Sequence, residues 1–322
     1  MELLGLHHVS LLTAKAEENH HFFTEVLGMR LVKKTVNQDN TSSYHLFYGD
    51  AEGNPGTEIT FFDIPGLGRT YEGISSISST SLRVPTTDSL LFWQQRFSSL
   101  DVKHGKIEKR ANRDSLSFED SEGTKLILVA DNKEDGVSPG VPWVKTDIPK
   151  EHAIIGLGPV TLTVKSAPPT ATILTNILGF RHLGSYPSLK GNVPAIEVYA
   201  TGKGGSGAEV HLETRPDLPA EKIGRGGVHH VAFRIPNEEE FNHWVQRVRQ
   251  TRLPNSGEVE RHYFKALYFR EPNGILFELS TDTPGFTVDE PLESMGEKLA
   301  LPPFLEPKRT EIEASLRPLE IH

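Results

Sequence analysis

Gly227-Val228-His229-His230-Val231-Ala232-Phe233 decides how this chain is read, because a near-copy, Gly5-Leu6-His7-His8-Val9-Ser10-Leu11, stands close to its start. Each stretch reads as a short strand carrying two adjacent histidines. Side chains alternate across a strand, so one histidine of each pair can face a shared cavity. If the two strands lie side by side, one imidazole from each meets over a site. A third ligand is then available in Phe277-Glu278-Leu279, where a carboxylate interrupts an apolar run. Buried without a partner, that carboxylate would be costly; a metal ion would satisfy it, as would Arg261 or solvent. The plain alternative is that the strand histidines are hydrogen-bonded core residues and Glu278 faces outward.

Working outward, residues 5–13 alternate as a strand. Glu17 to Leu27 reads as a helix closed by Gly28, and Arg30–Thr35, Ser43–Tyr48 and Glu58–Phe62 read as three strands. The same order recurs from Ile77, and further units start near Ile154 and Val228. A shift of 151 residues lays Val26-Leu27-Gly28-Met29-Arg30 on Ile177-Leu178-Gly179-Phe180-Arg181, Trp93 on Trp244 and Gly123 on Gly274. One ungapped offset over most of the chain means two similar halves, each of two βαβββ units. The expected class is α+β, with units that pair and curl around a cleft. The expected boundaries are a first domain at 1–135, a Gly/Pro-rich linker at 136–152, a second domain at 153–283 and a C-terminal extension at 284–322 that packs on the domains. A short helix is expected at Thr310–Leu316, with a disordered tail as the alternative.

The repeat also filters the candidates. The offset places His8 on Pro159, His230 on Ser79 and Glu278 on Ile127. The middle units therefore lack the ligand types, and a single ion requires the first and last units to face each other. The histidine of each pair that is not a ligand is expected beside the site, orienting ligands or handling protons. Parity alone does not say which histidine that is. His211 and Glu213, in a third-unit strand, are decoys of similar appearance. Two imidazoles and a carboxylate leave open positions on an octahedral ion, the donor set associated with non-haem Fe(II), which also suits Mn(II) or Zn(II). The polar wall of such a site is sought in Glu260-Arg261-His262-Tyr263-Phe264-Lys265-Ala266-Leu267-Tyr268. Arg261 could hold an oxyanion and Tyr268 could hydrogen-bond a substrate oxygen. A surface ion pair and a core aromatic are the bland alternatives.

Composition narrows the classes. The 322 residues carry a net charge of −9, which lacks the basic footprint of a phosphate-backbone binder, so no nucleic-acid partner is expected. There is no cysteine, which excludes disulfides, thiolate zinc sites, iron–sulfur clusters and a thiol nucleophile. No apolar run is long enough to span a membrane, and no basic region precedes an apolar core at the N-terminus, so a soluble cytoplasmic protein is expected.

Together the stretches Leu6-His7-His8-Val9-Ser10, Lys34-Thr35-Val36-Asn37-Gln38-Asp39, Tyr44-His45-Leu46-Phe47-Tyr48-Gly49-Asp50, the second His-His strand and Tyr268-Phe269-Arg270-Glu271-Pro272 resemble the vicinal oxygen chelate, or glyoxalase/bleomycin-resistance/dioxygenase, superfamily. Within it they resemble the ring-cleaving dioxygenases of the hydroquinone 1,2-dioxygenase type. The resemblance implies Fe(II), with Mn(II) as a substitute, held by His8, His230 and Glu278, and supporting roles for His7, Ser10, His229, Arg261 and Tyr268. It implies extradiol-type cleavage of a hydroquinone or catechol-like ring with dioxygen as co-substrate, and leaves open whether the chain forms a homo-oligomer. A glyoxalase-like isomerase, lyase or thiol transferase is the competing enzyme reading; a non-catalytic aromatic-binding protein is the competing non-enzyme reading. Ordinary extradiol enzymes hold their metal wholly in the second half, an arrangement that Pro159 blocks here.

Overall fold

The computed structural model describes residues 1–319. Four units of one design follow each other. The first runs β1 (Leu6–Thr13), α1 (Ala16–His21), β2 (Arg30–Asn37), β3 (Asn40–Gly49) and β4 (Glu58–Asp63). The second runs β5 (Ser76–Val84), α2 (Thr87–Ser99), β6 (His104–Arg110), β7 (Arg113–Glu119) and β8 (Lys125–Ala130). The third comprises β9 (Gly156–Val164), α3 (Ala167–Thr172), β10 (Arg181–Tyr186), β11 (Ile196–Ala200) and β12 (Glu209–Thr214). The fourth comprises β13 (Val228–Ile235), α4 (Glu238–Gln250), β14 (Asn255–Glu260), β15 (Phe264–Arg270) and β16 (Leu276–Pro284), and α5 (Arg309–Ser315) closes the chain.

The 151-residue repeat is physical. α1 and α3 both continue into a π-helical turn, Phe22–Val26 and Ile173–Ile177. Both turns end at a glycine with positive φ, Gly28 at 66° and Gly179 at 74°, a conformation that a Cβ disfavours. Thr86 and Asn237, equivalent under the offset, cap α2 and α4 by accepting the backbone N–H of Ser89 and Glu240. Trp93 and Trp244 fill equivalent places in the core, both essentially inaccessible to solvent.

The two eight-stranded sheets do not follow the two halves of the chain. One has the order β14-β15-β16-β13-β1-β4-β3-β2, and the other β10-β11-β12-β9-β5-β8-β7-β6. The first and fourth units thus share one sheet, and the second and third share the other. At the centre of each sheet the opening strands of two units meet antiparallel, β1 on β13 and β5 on β9. The ends of the chain are thereby brought together, as the distribution of histidines requires.

The segment after β16 lies along the first unit. Leu301, Leu305, Ile312 and Leu316 are buried in the main core. Phe286 and Met295 join Val32, Phe47, Tyr263 and Phe264 in a separate cluster at the seam of the first and fourth units. α5 forms close to where the sequence places a short helix. Among the described residues no helix is long and apolar enough to cross a membrane.

Candidate metal centre

β1 and β13 do not pair in simple register. Between Leu6↔Phe233 and Val9↔Val231, β1 spends three steps against two on β13; between Ser10↔His230 and Leu11↔Val228, β13 spends two against one. Each His-His pair therefore occupies a β-bulge, where an extra residue re-aims side chains. This is why strict alternation could not assign the pair. Both rings of a pair stay close instead: His7 Nδ1 lies 2.9 Å from His8 Nδ1, and His229 Nδ1 lies 2.8 Å from His230 Nδ1.

β16 runs parallel to β13, with Glu278 beside Ala232, and this sets its carboxylate against the histidines. Glu278 Oε2 is 2.7 Å from His230 Nε2 and 3.2 Å from His8 Nε2, and the two nitrogens are 3.4 Å apart. Three mutually perpendicular donors at about 2.0–2.2 Å from one ion would stand about 3 Å apart. Despite its neighbours, Oε2 is buried and accepts no well-formed hydrogen bond. The three donors converge on a point rather than bond to one another, which fits a divalent cation. Burial would raise the Glu278 carboxyl, but the His8 and His230 imidazoles facing it reverse the sign and hold it well below the usual range. Its other oxygen, Oε1, accepts a hydrogen bond from the Ser280 hydroxyl at 2.7 Å.

The partners of the candidate ligands decide their tautomers. A carbonyl only accepts, so the 3.1 Å contact from His7 Nε2 to the Thr281 carbonyl puts the proton on His7 Nε2. Burial, reinforced by His8, holds His7 neutral by lowering its pKa to about 3. His7 Nδ1 must then accept from His8 Nδ1, leaving the His8 Nε2 lone pair aimed at the centre. His230 is likewise pushed below its ordinary value, chiefly by burial.

A second grouping, His7, His8 and Glu58, also comes within ligand distance. Glu58 Oε2 is buried without a partner, and burial together with Asp50 pushes its carboxyl well above the ordinary range. This group stays behind His8, whereas the first opens on a cavity of about 360 Å³.

That cavity collects most of the expected residues. His8, His230, His229, Arg261 and Tyr268 line it. His229 is exposed at its rim; His7 is buried behind His8 and does not reach it. Ser10 is fully buried and bonds Thr60 at 2.8 Å, so its place is in the support of the wall. Arg261 combines two alternatives. Its Nε donates to the Tyr268 hydroxyl at 3.2 Å, while its terminal nitrogens pair with Asp39 at 3.2 and 2.9 Å. Burial, then Glu278, raises the Tyr268 hydroxyl well above its ordinary value, so it remains a donor. The decoys His211 and Glu213 lie in β12, in the other sheet.

Several residues at the site carried no signal sufficient to single them out. His45 lies between Phe47 and Phe62, with ring centroids 4.0 and 4.1 Å away, and its Nε2 meets the Thr60 hydroxyl at 2.9 Å. Gln38 donates to the Arg261 carbonyl at 2.8 Å. Both sit in stretches where only the motif, and no spacing, drew attention. Ser280 and Asp39 become meaningful only once β16 and the β2–β3 turn face the cavity.

The chain is similar to known proteins over nearly its whole length. The chain is 53% identical over 320 residues, 99% of its length and 100% of the relative's, to the "putative ring-cleaving dioxygenase MhqA" of Bacillus subtilis (strain 168). It is 30% identical over 318 residues to the chlorohydroquinone/hydroquinone 1,2-dioxygenase of Sphingobium indicum, covering 96% of this chain and 94% of that one. The crystal structure of a "putative dioxygenase" from Bacillus subtilis subsp. subtilis str. 168 superposes with a TM-score of 0.91 at 36% identity, covering 100% of this chain and 99% of the other. The sequence profile of the glyoxalase/bleomycin resistance protein/dioxygenase superfamily matches residues 5–128 and 156–279, and with these matches on a duplicated, metal-competent βαβββ scaffold the chain belongs to that superfamily.

Proposed function

We propose that the chain is an Fe(II)-dependent, extradiol-type dioxygenase that opens the ring of a hydroquinone or catechol-like substrate. The observation that carries the reading is the buried triangle of His8, His230 and Glu278 at the end of an aromatic-lined cavity. The resemblance to ring-cleaving relatives supports it. A ring-sized ligand suits a cavity of about 360 Å³ bounded by Phe47, Phe62, Phe264 and Tyr268.

His8, His230 and Glu278 would hold the ion, which when bound supplies Lewis acidity and a one-electron centre at which a diol and dioxygen react together. The rest is work for the chain's own side chains. The aromatic wall fixes the ring plane. His45 against the wall is placed to take a proton from a substrate hydroxyl, its Nε2 engaged by Thr60 and its Nδ1 left for that task. His229 at the rim, whose Nδ1 accepts from His230 Nδ1, keeps its proton on Nε2 and can offer it to a substrate oxygen. Tyr268 offers its hydroxyl proton to an oxyanion, and Arg261 adds positive charge beside it. Phe264 packs on both His7 and His8, with centroids 5.5 and 5.3 Å away, and shields the ligands from solvent.

The test is anaerobic loading with Fe(II), followed by oxygen uptake with a panel of hydroquinones and catechols. Stoichiometric oxygen consumption with loss of the aromatic spectrum is expected. Isomerisation of a thiol adduct without oxygen uptake would move the chain to the glyoxalase-like chemistry of its superfamily.

A further inference from the structure

The sheet that lacks the metal ligands has a cup of its own. Its cavity, about 440 Å³, is the 151-residue image of the first. Ser79 and Ile127 line it where His230 and Glu278 stand in the twin, and Ser117 takes the place of Tyr268. Arg110 is the counterpart of Arg261 and lines the cavity as Arg261 lines the other. The cup thus keeps its shape and its rim guanidinium while every ligand position has turned neutral.

Charge pairing separates the two rims. Arg261 is matched by Asp39 at 2.9 Å, but the residue at the Asp39 position here is Lys190. The carboxylates lining the second cup are Glu72, Glu119 and Glu213. Lys125 reaches Glu72 at 3.2 Å and Glu119 at 2.6 Å, Lys103 reaches Glu119 at 2.9 Å, and Lys190 reaches Glu213 at 3.5 Å. The nearby acids Glu134 and Glu209 are taken by Arg113 at 2.6 and 2.7 Å. Three acids and three lysines of the lining pair off, and among the described residues Arg110 is the lining's lysine or arginine without a carboxylate partner, the Tyr186 hydroxyl being its neighbour. It is half-buried, so its charge is less well hydrated than a surface guanidinium. Ile127 and Ile196, the counterparts of Glu278 and His45, give the cup an apolar patch, whereas Phe118 and Leu126 turn to the core on the other face of the sheet.

We infer that this second cup is a metal-independent binding site for a small organic carboxylate, with Arg110 gripping the carboxylate and the Ile127–Ile196 patch covering a ring or branched chain. A guanidinium matches a carboxylate bidentately, and an apolar floor adds affinity only for a ligand with an apolar body. Inorganic anions satisfy the first feature alone, and neutral aromatics only the second. The inference does not depend on the chemistry proposed for the first cup.

The experiment is a ¹⁹F NMR titration of the full-length protein with 4-fluorobenzoate. Binding is expected to persist in Glu278→Gln, which removes a candidate metal donor, and in Arg261→Met, which removes the first cup's guanidinium. It should weaken by at least about tenfold in Arg110→Met. Ser117→Tyr, which fills the cup with the side chain its twin already accommodates, should abolish it, and this second variant carries the test if Arg110→Met does not fold. 4-Fluorobenzamide should bind at least about tenfold more weakly than the acid, and phosphate should not displace it. Absence of binding, binding intact in both Arg110→Met and Ser117→Tyr, equal affinity for the amide, or displacement by phosphate would each overturn the assignment.

Discussion

His7 and His8 face each other Nδ1 to Nδ1 at 2.9 Å, and the Thr281 carbonyl at the far side of His7 determines which nitrogen of His8 is left bare. A backbone carbonyl of β16 thus sets the protonation state of a candidate ligand on β1, two strands away, through one intervening ring. Removing that ring frees His8 to rotate or to take the other tautomer. His7→Ala should therefore lower affinity for a divalent ion by about 10–100-fold while the fold persists, a magnitude usual for the outer partner of a metal-bound histidine. Equilibrium dialysis against Zn(II) reads this directly. Unchanged affinity would show that His8 needs no such support.

The three ligands themselves should behave as a unit. His8→Ala, His230→Ala and Glu278→Ala are each expected to abolish both tight metal binding and turnover, since each leaves a two-donor site. Ser280→Ala is the graded counterpart. It removes the 2.7 Å hydrogen bond that orients Glu278 while leaving all three donors, so a loss of about 1 kcal/mol, or five- to tenfold in affinity, is expected. Full affinity and activity in all three alanine variants would remove the site.

How much of this was visible in the amino-acid order depends on which kind of information each residue carries. The pairing of the end units was legible because Pro159, Ser79 and Ile127 stand where ligands would have to be, a deduction from missing chemistry. Strand positions and the 151-residue offset were legible because periodicity and glycine stops are local. The parity argument at the histidines failed to choose because two bulges interrupt the alternation, and bulges depend on the partner strand. The place of His45 between Phe47 and Phe62 is set by neighbouring strands that no local pattern identifies. For Arg261 the sequence leaves a catalytic cation and a surface ion pair equally open, because the residue does both: it faces the cavity while paired with Asp39.

That double engagement leads to a prediction in which binding and turnover separate. Arg261→Met should keep the metal, because the guanidinium touches no ligand, but should lose much of the rate, on the order of 10²-fold. Asp39→Asn should be milder, since it weakens the anchor and leaves the charge. Metal content by atomic absorption, alongside steady-state oxygen uptake, distinguishes the two. Normal turnover in Arg261→Met would confine the residue to a structural ion pair.

Stability should also respond to a carboxyl outside the lining of the cavity that Arg261 faces. Burial, with Glu72 adding to it, raises Glu221 from 4.5 to about 7. Between those values the folded chain holds a proton that the unfolded chain has released. This group's contribution to stability therefore falls as pH rises across the window and levels off above it. Glu221→Gln mimics the protonated form at every pH. The variant should match the parent near about pH 4 and exceed it above about pH 7, by on the order of 1 kcal/mol after solvent screening. Urea unfolding at both ends of the window measures the difference; a parent that gains on the variant as pH rises would contradict the sign.

The tail supplies the last prediction. Lys33 is fully buried in β2, yet its ammonium contacts Asp289 at 2.7 Å, Glu290 and the Phe286 carbonyl at 3.1 Å, and lies 4.8 Å from the Tyr263 ring centroid. The Tyr263 hydroxyl donates to the other Asp289 oxygen at 2.8 Å. This ammonium therefore ties the segment after β16 to the aromatic cluster of Phe47, Tyr263 and Phe264, which forms part of the cavity wall. Removing both acids, by Asp289→Ala with Glu290→Ala, leaves a buried charge without a counter-ion. It should destabilise the protein by about 3–5 kcal/mol. Adding Lys33→Met to those two substitutions removes the orphaned charge along with its partners, so most of the lost stability should return. The aromatic wall, however, would remain untethered, and KM for the aromatic substrate should stay raised in the triple variant. Denaturant titration and steady-state kinetics on the same three proteins decide it: if the triple variant is no more stable than the double, the charge of Lys33 is not what holds the tail against the site.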